Sequence, residues 1–407
     1  MPLCLACKPA ARPIRIEGRV FMSLRVAYVL PGLQNPSGWR SHARGFLNAI
    51  RAWVDPVLFV AQQDEAEARR IFPELQVVAL PTTQRASLSS LSGLQLLLRC
   101  YQHIRRGRYP MVDLVHSLEA YPTGLVGHWL ARRLEAPHLL TSHGTYGVIW
   151  WEKPLDRWFY QVVLRRSAMI CPVSHGTAQR MQACFGAAMK HTTVKPILNG
   201  NDYWQRVPRS LALHRSAPAI PTLLSVGDVK PRKGYHVSLR AFAVVKSHLP
   251  SARYFIVGRY EPNRYYQQLE GLVHSLGLQD VTFCGAISDE EMSLRYQQAS
   301  VFVLAPQPEG LQFEGFGLVF LEAGAYGLPV AATRTGGVPE AVLDGETGFL
   351  VEADDVDGLA RAALRLLTDA ALANRLGQAN RRRAETLTWE RNAAEHLEAY
   401  QQVLGRV

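Results

Sequence analysis

Short runs of β-branched and other apolar residues alternate along this chain with longer stretches whose apolar positions recur every three or four residues. The first kind predicts strands and the second amphipathic helices, and their alternation predicts parallel sheets covered by helices. In the first half LRVAYVL (24–30), PVLFV (56–60), DLVHS (113–117), HLLTS (138–142) and MICPVS (169–174) read as strands, with helices over 38–52, 91–106 and 155–166. KPILNGND (195–202) then runs into RVPRSLALHRSAPAIP, rich in Pro and Arg and without a clear period, which reads as a linker. Past it the alternation restarts: TLLSVGD (222–228), RYFIVG (253–258), VTFCG (281–285), VFVLAP (301–306) and LPVAAT (328–333) read as strands. Helices are expected to begin near Tyr235, Asn263, Asp289 and Gly317, and LTWERNAAEHLEAYQQVLG (387–405) reads as a long closing helix.

A chain of 407 residues is too long for one comfortable core. The pattern divides it into an N-terminal domain over 22–203, a linker over 204–220, a C-terminal domain over 221–386 and a final helix over 387–407 that returns to the first domain. MSLRVAYVL, from Met22, looks like a natural start, so residues 1–21 are expected to be a disordered extension. The simplest architecture is α/β: two Rossmann-like, doubly wound domains facing across a cleft, with ligands at the carboxyl ends of the strands.

Composition narrows the class. Hydrophobic residues at 48% and charged residues at 19% describe a globular chain. No uninterrupted apolar run is long enough to cross a bilayer and MPLCLACKPAARPIRIEGR lacks a signal-peptide core, so a cytoplasmic location is expected. The six cysteines are scattered, as in a reducing compartment, and Cys4 and Cys7 form a lone CxxC with no second pair or nearby histidines, which argues against a metal site. The charge is uneven: residues 1–203 carry 24 Lys and Arg against 12 Asp and Glu, whereas residues 204–407 carry 21 against 22. A basic first half favours an anionic partner, whether membrane lipid, lipid-linked pyrophosphate or nucleic acid.

Candidate chemistry gathers in glycine turns of the second half. SVGDVKPRKG (225–234) follows a strand and precedes a helix, bringing Lys230, Arg232 and Lys233 beside free helix amides, which suits a phosphate as well as it suits a solvated basic turn. FEGFGLVFLEAGAYG (313–327) is apolar and glycine-rich yet carries Glu314 and Glu322. A buried carboxylate needs a partner or a task. With a helix starting near Gly317, the amides of Phe316, Gly317 and Leu318 point into the cleft, and Gly315 and Gly317 let a ligand approach the backbone. One glutamate could then take hydroxyls at the sugar end of a nucleotide-sugar and the other its ribose. Taken singly, each also fits a structural role, Glu322 in an ion pair and Glu314 as a charge complementing the helix dipole.

EGFGLVFLE resembles the signature of the family 4 retaining glycosyltransferases, which have the GT-B fold. The surrounding order is similar too: the VGD…RKG turn, TRTGGVPEAVLDGETGFLV (333–351), NGND, and the strand ends SHG and PVSHGT. The resemblance runs from Leu24 to the last helix. It implies that Glu322 holds the nucleotide ribose, Glu314 the hydroxyls of the transferred sugar, and Lys233 the diphosphate, while His143 in TSHGTYG meets the donor sugar near its reacting face. Gly38 in NPSGWRSH matches the first glycine turn, where the family usually has two glycines and this chain has Trp39 in the second place. Asp228 stands where the family commonly has an arginine that pairs with the lysine on the diphosphate, and Lys230 or Arg232 is expected to supply the missing charge. Base contacts in the family are largely backbone, here near Gly285 and Ile287.

The implied reaction is transfer of a hexose from a nucleotide-sugar donor to a glycan or lipid-linked acceptor, with retention and without a metal or other cofactor. Asp354-Asp355 and Asp289-Glu290-Glu291 read as helix N-terminal charges instead of metal ligands. LSGLQLLLRCYQHIRRGRYP (91–110) and VIWWEKPLDRWFYQVVLRR (148–166) combine leucine or aromatic stripes with arginines, so a peripheral seat on an anionic membrane surface is a further expectation. Two alternatives compete. A nucleotide-sugar epimerase on the same fold needs no acceptor, and the paired glutamates argue against it. A basic nucleic-acid-binding protein would explain the charge, but no aromatic-basic RNA motif, helix-turn-helix or zinc finger is visible, so no nucleic acid partner is expected.

Overall fold

The structure is a computed structural model that describes residues 13–16, 19–22, 24–33, 38–84, 86–213 and 218–405. Strands β1 (Pro13–Ile16) and β2 (Arg19–Met22) pair as an antiparallel hairpin. Cys4 and Cys7 lie outside the described residues, as does most of the 1–21 extension.

The chain divides into two compact units. Unit 1 takes Met1–Val173, Ala178–Ile197 and Trp389–Val407. Its sheet contains β3 (Leu24–Val29), β4 (Val54–Ala61), β5 (Gln76–Leu80), β6 (Leu114–Ser117), β7 (His138–Ser142), β8 (Met169–Pro172) and β9 (Thr193–Val194). All are parallel, in the order β5-β4-β3-β6-β7-β8-β9. β6, β7 and β8 are buried at every position, as strands covered by helices on both faces must be.

The helix Trp389–Val403 joins this core through Trp389, Ala393, Ala399 and Tyr400. The Tyr400 hydroxyl sits 3.1 Å from that of Tyr28 and 2.8 Å from Nδ1 of His116, whose Nε2 is 2.8 Å from the Thr141 hydroxyl. This chain of bonds lets four polar side chains stay buried together, because each loses water but keeps a partner.

Unit 2 takes Ser174–Thr177 and Leu198–Thr388. Its strands are β10 (Thr222–Val226), β11 (Arg253–Val257), β12 (Val281–Gly285), β13 (Val301–Leu304), β14 (Val330–Thr333) and β15 (Gly348–Val351), parallel in the order β12-β11-β10-β13-β14-β15. Several helices start on side-chain caps that the sequence encodes: Asn263 accepts from Tyr266 N, Asp355 from Gly358 N, and Ser288 forms a capping box with Glu291.

The segment after Asp202 is not a structureless connection. It forms the short helices Tyr203–Arg206 and Arg209–Leu213, fastened by the buried Arg381, whose guanidinium donates to the carbonyls of Trp204, Val207 and Ala325. The closing helix runs over Trp389–Val403, within the expected 387–405, and follows a further helix, Ala370–Thr386. Among the described residues no helix is long and apolar enough to cross a membrane.

Candidate functional site

In each sheet the strand order reverses beside the first strand of the unit, at β3/β6 in unit 1 and β10/β13 in unit 2. Loops leaving such a switch point at the carboxyl ends splay apart and leave a crevice. In unit 2 those loops are Gly227–Gly234 and Ala305–Gly317, which hold most of the residues singled out from the sequence.

The Lys230–Gly234 turn closes as a 3-10 turn, Pro231–Lys233, and ends on Gly234 at φ 68°. A Cβ there would lie 1.6 Å from the carbonyl oxygen of Ala305, so only glycine lets the turn reach the exit of β13. That contact delivers Lys233 to Glu314. Its Nζ donates to Oε2 of Glu314 at 2.6 Å, and Arg232 Nη1 donates to the same oxygen at 3.1 Å. The Lys233 and Glu314 side chains are only about a tenth exposed, so the charges meet away from bulk water. Burial by itself would raise the Glu314 carboxyl, but the two cations outweigh it and hold it below its ordinary range. Both cations bond one oxygen, and among the described residues Oε1 accepts from none.

Backbone packing fixes where Glu314 stands. Gly337 N donates to Glu314 O at 3.0 Å, a Cβ on Gly336 would sit 2.2 Å from that oxygen, and one on Gly337 would sit 2.1 Å from Gly315 O. The TGG run after β14 therefore lies directly on the Glu314-Gly315 peptide. The Gly315 carbonyl also accepts from the hydroxyls of Ser174 (2.6 Å) and Thr177 (3.2 Å). Sequence reasoning quoted these segments only as matching pieces; their work is to hold the glutamate's backbone. Gly317, at φ 89°, is the N-cap of the helix Leu318–Ala325 and offers no side-chain cap. Among the described residues nothing accepts from the N–H groups of Phe316, Gly317 and Leu318, which leaves three donors at the positive end of the helix.

Glu322 stands in the second turn of that helix, half-buried. Its carboxyl is pushed up to about 7, by burial first, against the opposing influence of the Tyr296 hydroxyl and Arg206. The two glutamates thus meet neutral pH in different states, one ionised by cations and one poised to titrate. Asp289, which opens the helix after Ile287, adds a smaller push in the same direction as burial.

Asp228 has its own cations. Arg259 donates to both its oxygens at 3.2 Å and Lys230 Nζ lies 3.2 Å away, keeping the carboxyl low despite its partial burial. Lys230 thus sits on Asp228 and Arg232 on Glu314, and the added charge in the neighbourhood of Asp228 comes from Arg259. The sequence passed over Arg259 because it lies on a different strand exit; the signal was its place directly after the strand-ending Gly258.

In unit 1, His143 leaves the carboxyl end of β7 with its ring edge-on to His42 at 4.3 Å. Burial, then neighbouring His396, lowers it to about 3 against a backbone acceptor, so it is neutral at physiological pH. Gly38 opens the helix Gly38–Ile50, while residues 34–37 of the preceding turn lie outside the described residues. Glu119, missed in the sequence, occupies the switch point after β6. Its Oε1 accepts from the N–H groups of Ala120 (2.6 Å) and His143 (3.4 Å), its Oε2 is buried without a described partner, and burial raises its carboxyl well above the usual range. Its only sequence signal was a charge immediately following an apolar strand.

Comparison with known proteins gives this arrangement a family. Residues 214–383 match the family "Glycosyl transferases group 1" and residues 37–197 match "Glycosyl transferase 4-like domain". A GDP-mannose-dependent alpha-(1-6)-phosphatidylinositol monomannoside mannosyltransferase of Mycolicibacterium smegmatis is 32% identical over 66% of this chain and 71% of its own length. A GDP-mannose-dependent monoacylated alpha-(1-6)-phosphatidylinositol monomannoside mannosyltransferase of Corynebacterium glutamicum is 28% identical over 87% of this chain and 91% of its own. Among solved structures, sucrose-phosphate synthase of Thermosynechococcus elongatus shares the fold with a TM-score of 0.73 at 24% identity, covering 94% of this chain and all of that one. Anabaena HepE, crystallised with UDP and glucose, does so with a TM-score of 0.67 at 19% identity over 92% of this chain and all of that one. With both halves matched and two doubly wound sheets in place, this chain belongs to the family 4 glycosyltransferases and has the GT-B fold.

Proposed function

We propose that this glycosyltransferase moves a hexose, with retention of anomeric configuration and without a metal ion, from a nucleoside-diphosphate donor to a glycan or lipid-linked acceptor in bacterial polysaccharide or glycolipid assembly. The observation that carries the reading is Glu314, held ionised by Lys233 and Arg232 with one oxygen left over, beside the unpartnered amides of Phe316, Gly317 and Leu318. A diphosphate brings negative charge that grows as the sugar leaves. Lys233, Arg232, Lys230 and the helix amides are donors fixed in advance for that charge, the form of stabilisation that costs least reorganisation. Glu314 Oε1 then accepts from a sugar hydroxyl, Glu322 from the ribose, and the backbone near Gly285 and Ile287 meets the base. His143 serves the sugar near its reacting face, where a neutral imidazole can donate or accept without adding charge.

Two of the relatives described above are named as GDP-mannose-dependent mannosyltransferases, which makes GDP-mannose the first donor to try. The basic first half and the exposed Leu91, Leu98, Trp151 and Trp158 support a seat for unit 1 on an anionic membrane, at its inner face, where a lipid-linked acceptor is presented. The test is donor consumption with GDP-mannose, UDP-glucose and ADP-glucose, with chelator present and absent, followed by NMR of the product's anomeric proton. Chelator-resistant transfer giving the donor's own anomer, lost in Glu314→Gln, supports the reading. Inverted product, or turnover that persists in Glu314→Gln, overturns it.

A further inference from the structure

The helices Tyr235–His248 and Arg264–Ser275 of unit 2 pack against one another, and between them lies a cavity of about 660 Å³, open to the surface, that the donor reading does not use. That volume is in the range of small-molecule sites. Its lining is chemically divided. Arg240 and Arg264, both exposed, contribute guanidinium groups, and among the described residues neither has an ion-pair or hydrogen-bond partner. His236 adds an imidazole whose orientation is fixed: the Tyr265 hydroxyl accepts from the His236 backbone N–H at 3.4 Å and lies 3.0 Å from Nδ1. The imidazole Nε2 faces the Asp354 carboxylate, 4.0 Å away. Glu309 and Gln268 supply groups for hydroxyls, and Leu269 supplies an apolar wall.

Two guanidiniums on one lining suit the oxygens of one phosphate, since a planar fork binds such a group through paired bonds. Glu309 excludes a ligand that is anionic all over, but it suits one whose charge is at one end and whose hydroxyls are at the other. We propose that this cavity is a binding site for a small hydroxylated monophosphate, of the size and chemistry of a sugar phosphate, separate from the Glu314 site. The two sites share one turn: Pro231 lines the cavity, while its neighbours Arg232 and Lys233 hold Glu314.

Isothermal titration of the full chain with glucose 6-phosphate, inorganic phosphate and uncharged glucose tests the proposal, using wild type, Arg240→Ala/Arg264→Ala and Lys233→Ala. Glucose 6-phosphate is expected to bind wild type and Lys233→Ala alike, to weaken roughly 30-fold or more in the double arginine variant, and to bind more tightly than phosphate or glucose alone. The double variant should keep its affinity for GDP or UDP, because neither arginine belongs to the Glu314 site. Absence of glucose 6-phosphate binding, unchanged binding in the double variant, or loss in Lys233→Ala instead overturns the proposal. So does a double variant that loses anionic-vesicle binding while glucose 6-phosphate gives no heat in wild type, which would assign the arginines to a lipid headgroup. Loss of nucleotide binding in Lys233→Ala alone speaks to the donor reading and leaves this one standing.

Discussion

Replacing Glu322 by Gln should stabilise the protein in proportion to pH, because the carboxyl it removes is poised near neutrality. In the folded chain that group titrates at about 7 against an ordinary value of 4.5, chiefly through burial. A folded-state value raised above the unfolded one means the native state holds a proton the unfolded state has released. The associated stability is therefore complete below pH 4.5 and is lost as pH climbs through 7. The full loss corresponds to about 3 kcal/mol, at about 1.4 kcal/mol per pH unit of displacement. Glutamine stays neutral, keeps an acceptor for the Tyr296 hydroxyl and escapes this loss. Wild type and Glu322→Gln should thus melt together near pH 4.5 and separate by about 6–12 °C by pH 8, in scanning fluorimetry without ligand. Parallel melting curves across pH 5 to 8, whatever their offset, would refute the burial argument.

Lys233→Ala should lower transfer roughly 10²–10³-fold, since it removes one preorganised donor and loosens Glu314, as read by donor consumption at saturating acceptor. Gly336→Ala places a methyl where Glu314 O stands, at a residue with φ 54°, so activity should fall while circular dichroism stays native and stability drops by about 1–3 kcal/mol. Tyr400→Phe deletes the hydroxyl shared by Tyr28 and His116 and should cost about 1–3 kcal/mol in urea unfolding, with donor affinity unchanged. Leu91→Ser/Trp158→Ser should weaken co-sedimentation with anionic vesicles and leave the melting temperature within about 1 °C, because the two side chains are 81% and 57% exposed.

The strand and helix grammar was legible because parallel strands buried on both faces are continuous apolar runs, and every interior strand of both sheets stood out that way. In the two large sheets the strands the pattern did not pick out, β5, β9 and β15, are edges, while the fourth edge, β12, was read. β9 has two residues and β15 four, too few to show a period, whereas β5 (QVVAL) is an apolar run that stood unmarked among its neighbours. The linker reading failed to find the helices Tyr203–Arg206 and Arg209–Leu213 because their order comes from Arg381, nearly two hundred residues on, and not from their own period.

The site followed the same divide. Lys233, Glu314 and the Phe316–Leu318 amides stood out because each lies at a strand exit beside a glycine. Arg259 and Glu119 stayed hidden, since a partner supplied by another strand leaves no trace in local spacing. The pairing of Lys233 with Glu314 was equally invisible: both residues were marked, but as separate hands on a ligand, and only the closure of Gly234 on Ala305 shows that they hold each other when no ligand is named.

The first half of the gene cannot finish its own fold. Unit 1 draws Trp389, Ala393 and Tyr400 into its interior, yet the ribosome must first produce all of Leu198–Thr388. At bacterial and eukaryotic elongation rates that interval lasts roughly 10 to 40 s. Throughout it the apolar groove awaiting the last helix is open to solvent and to chaperones, whereas unit 2, apart from Ser174–Thr177, is one uninterrupted stretch that can mature as it emerges. Severing the final helix should therefore injure the earliest-made part of the protein and spare the later one.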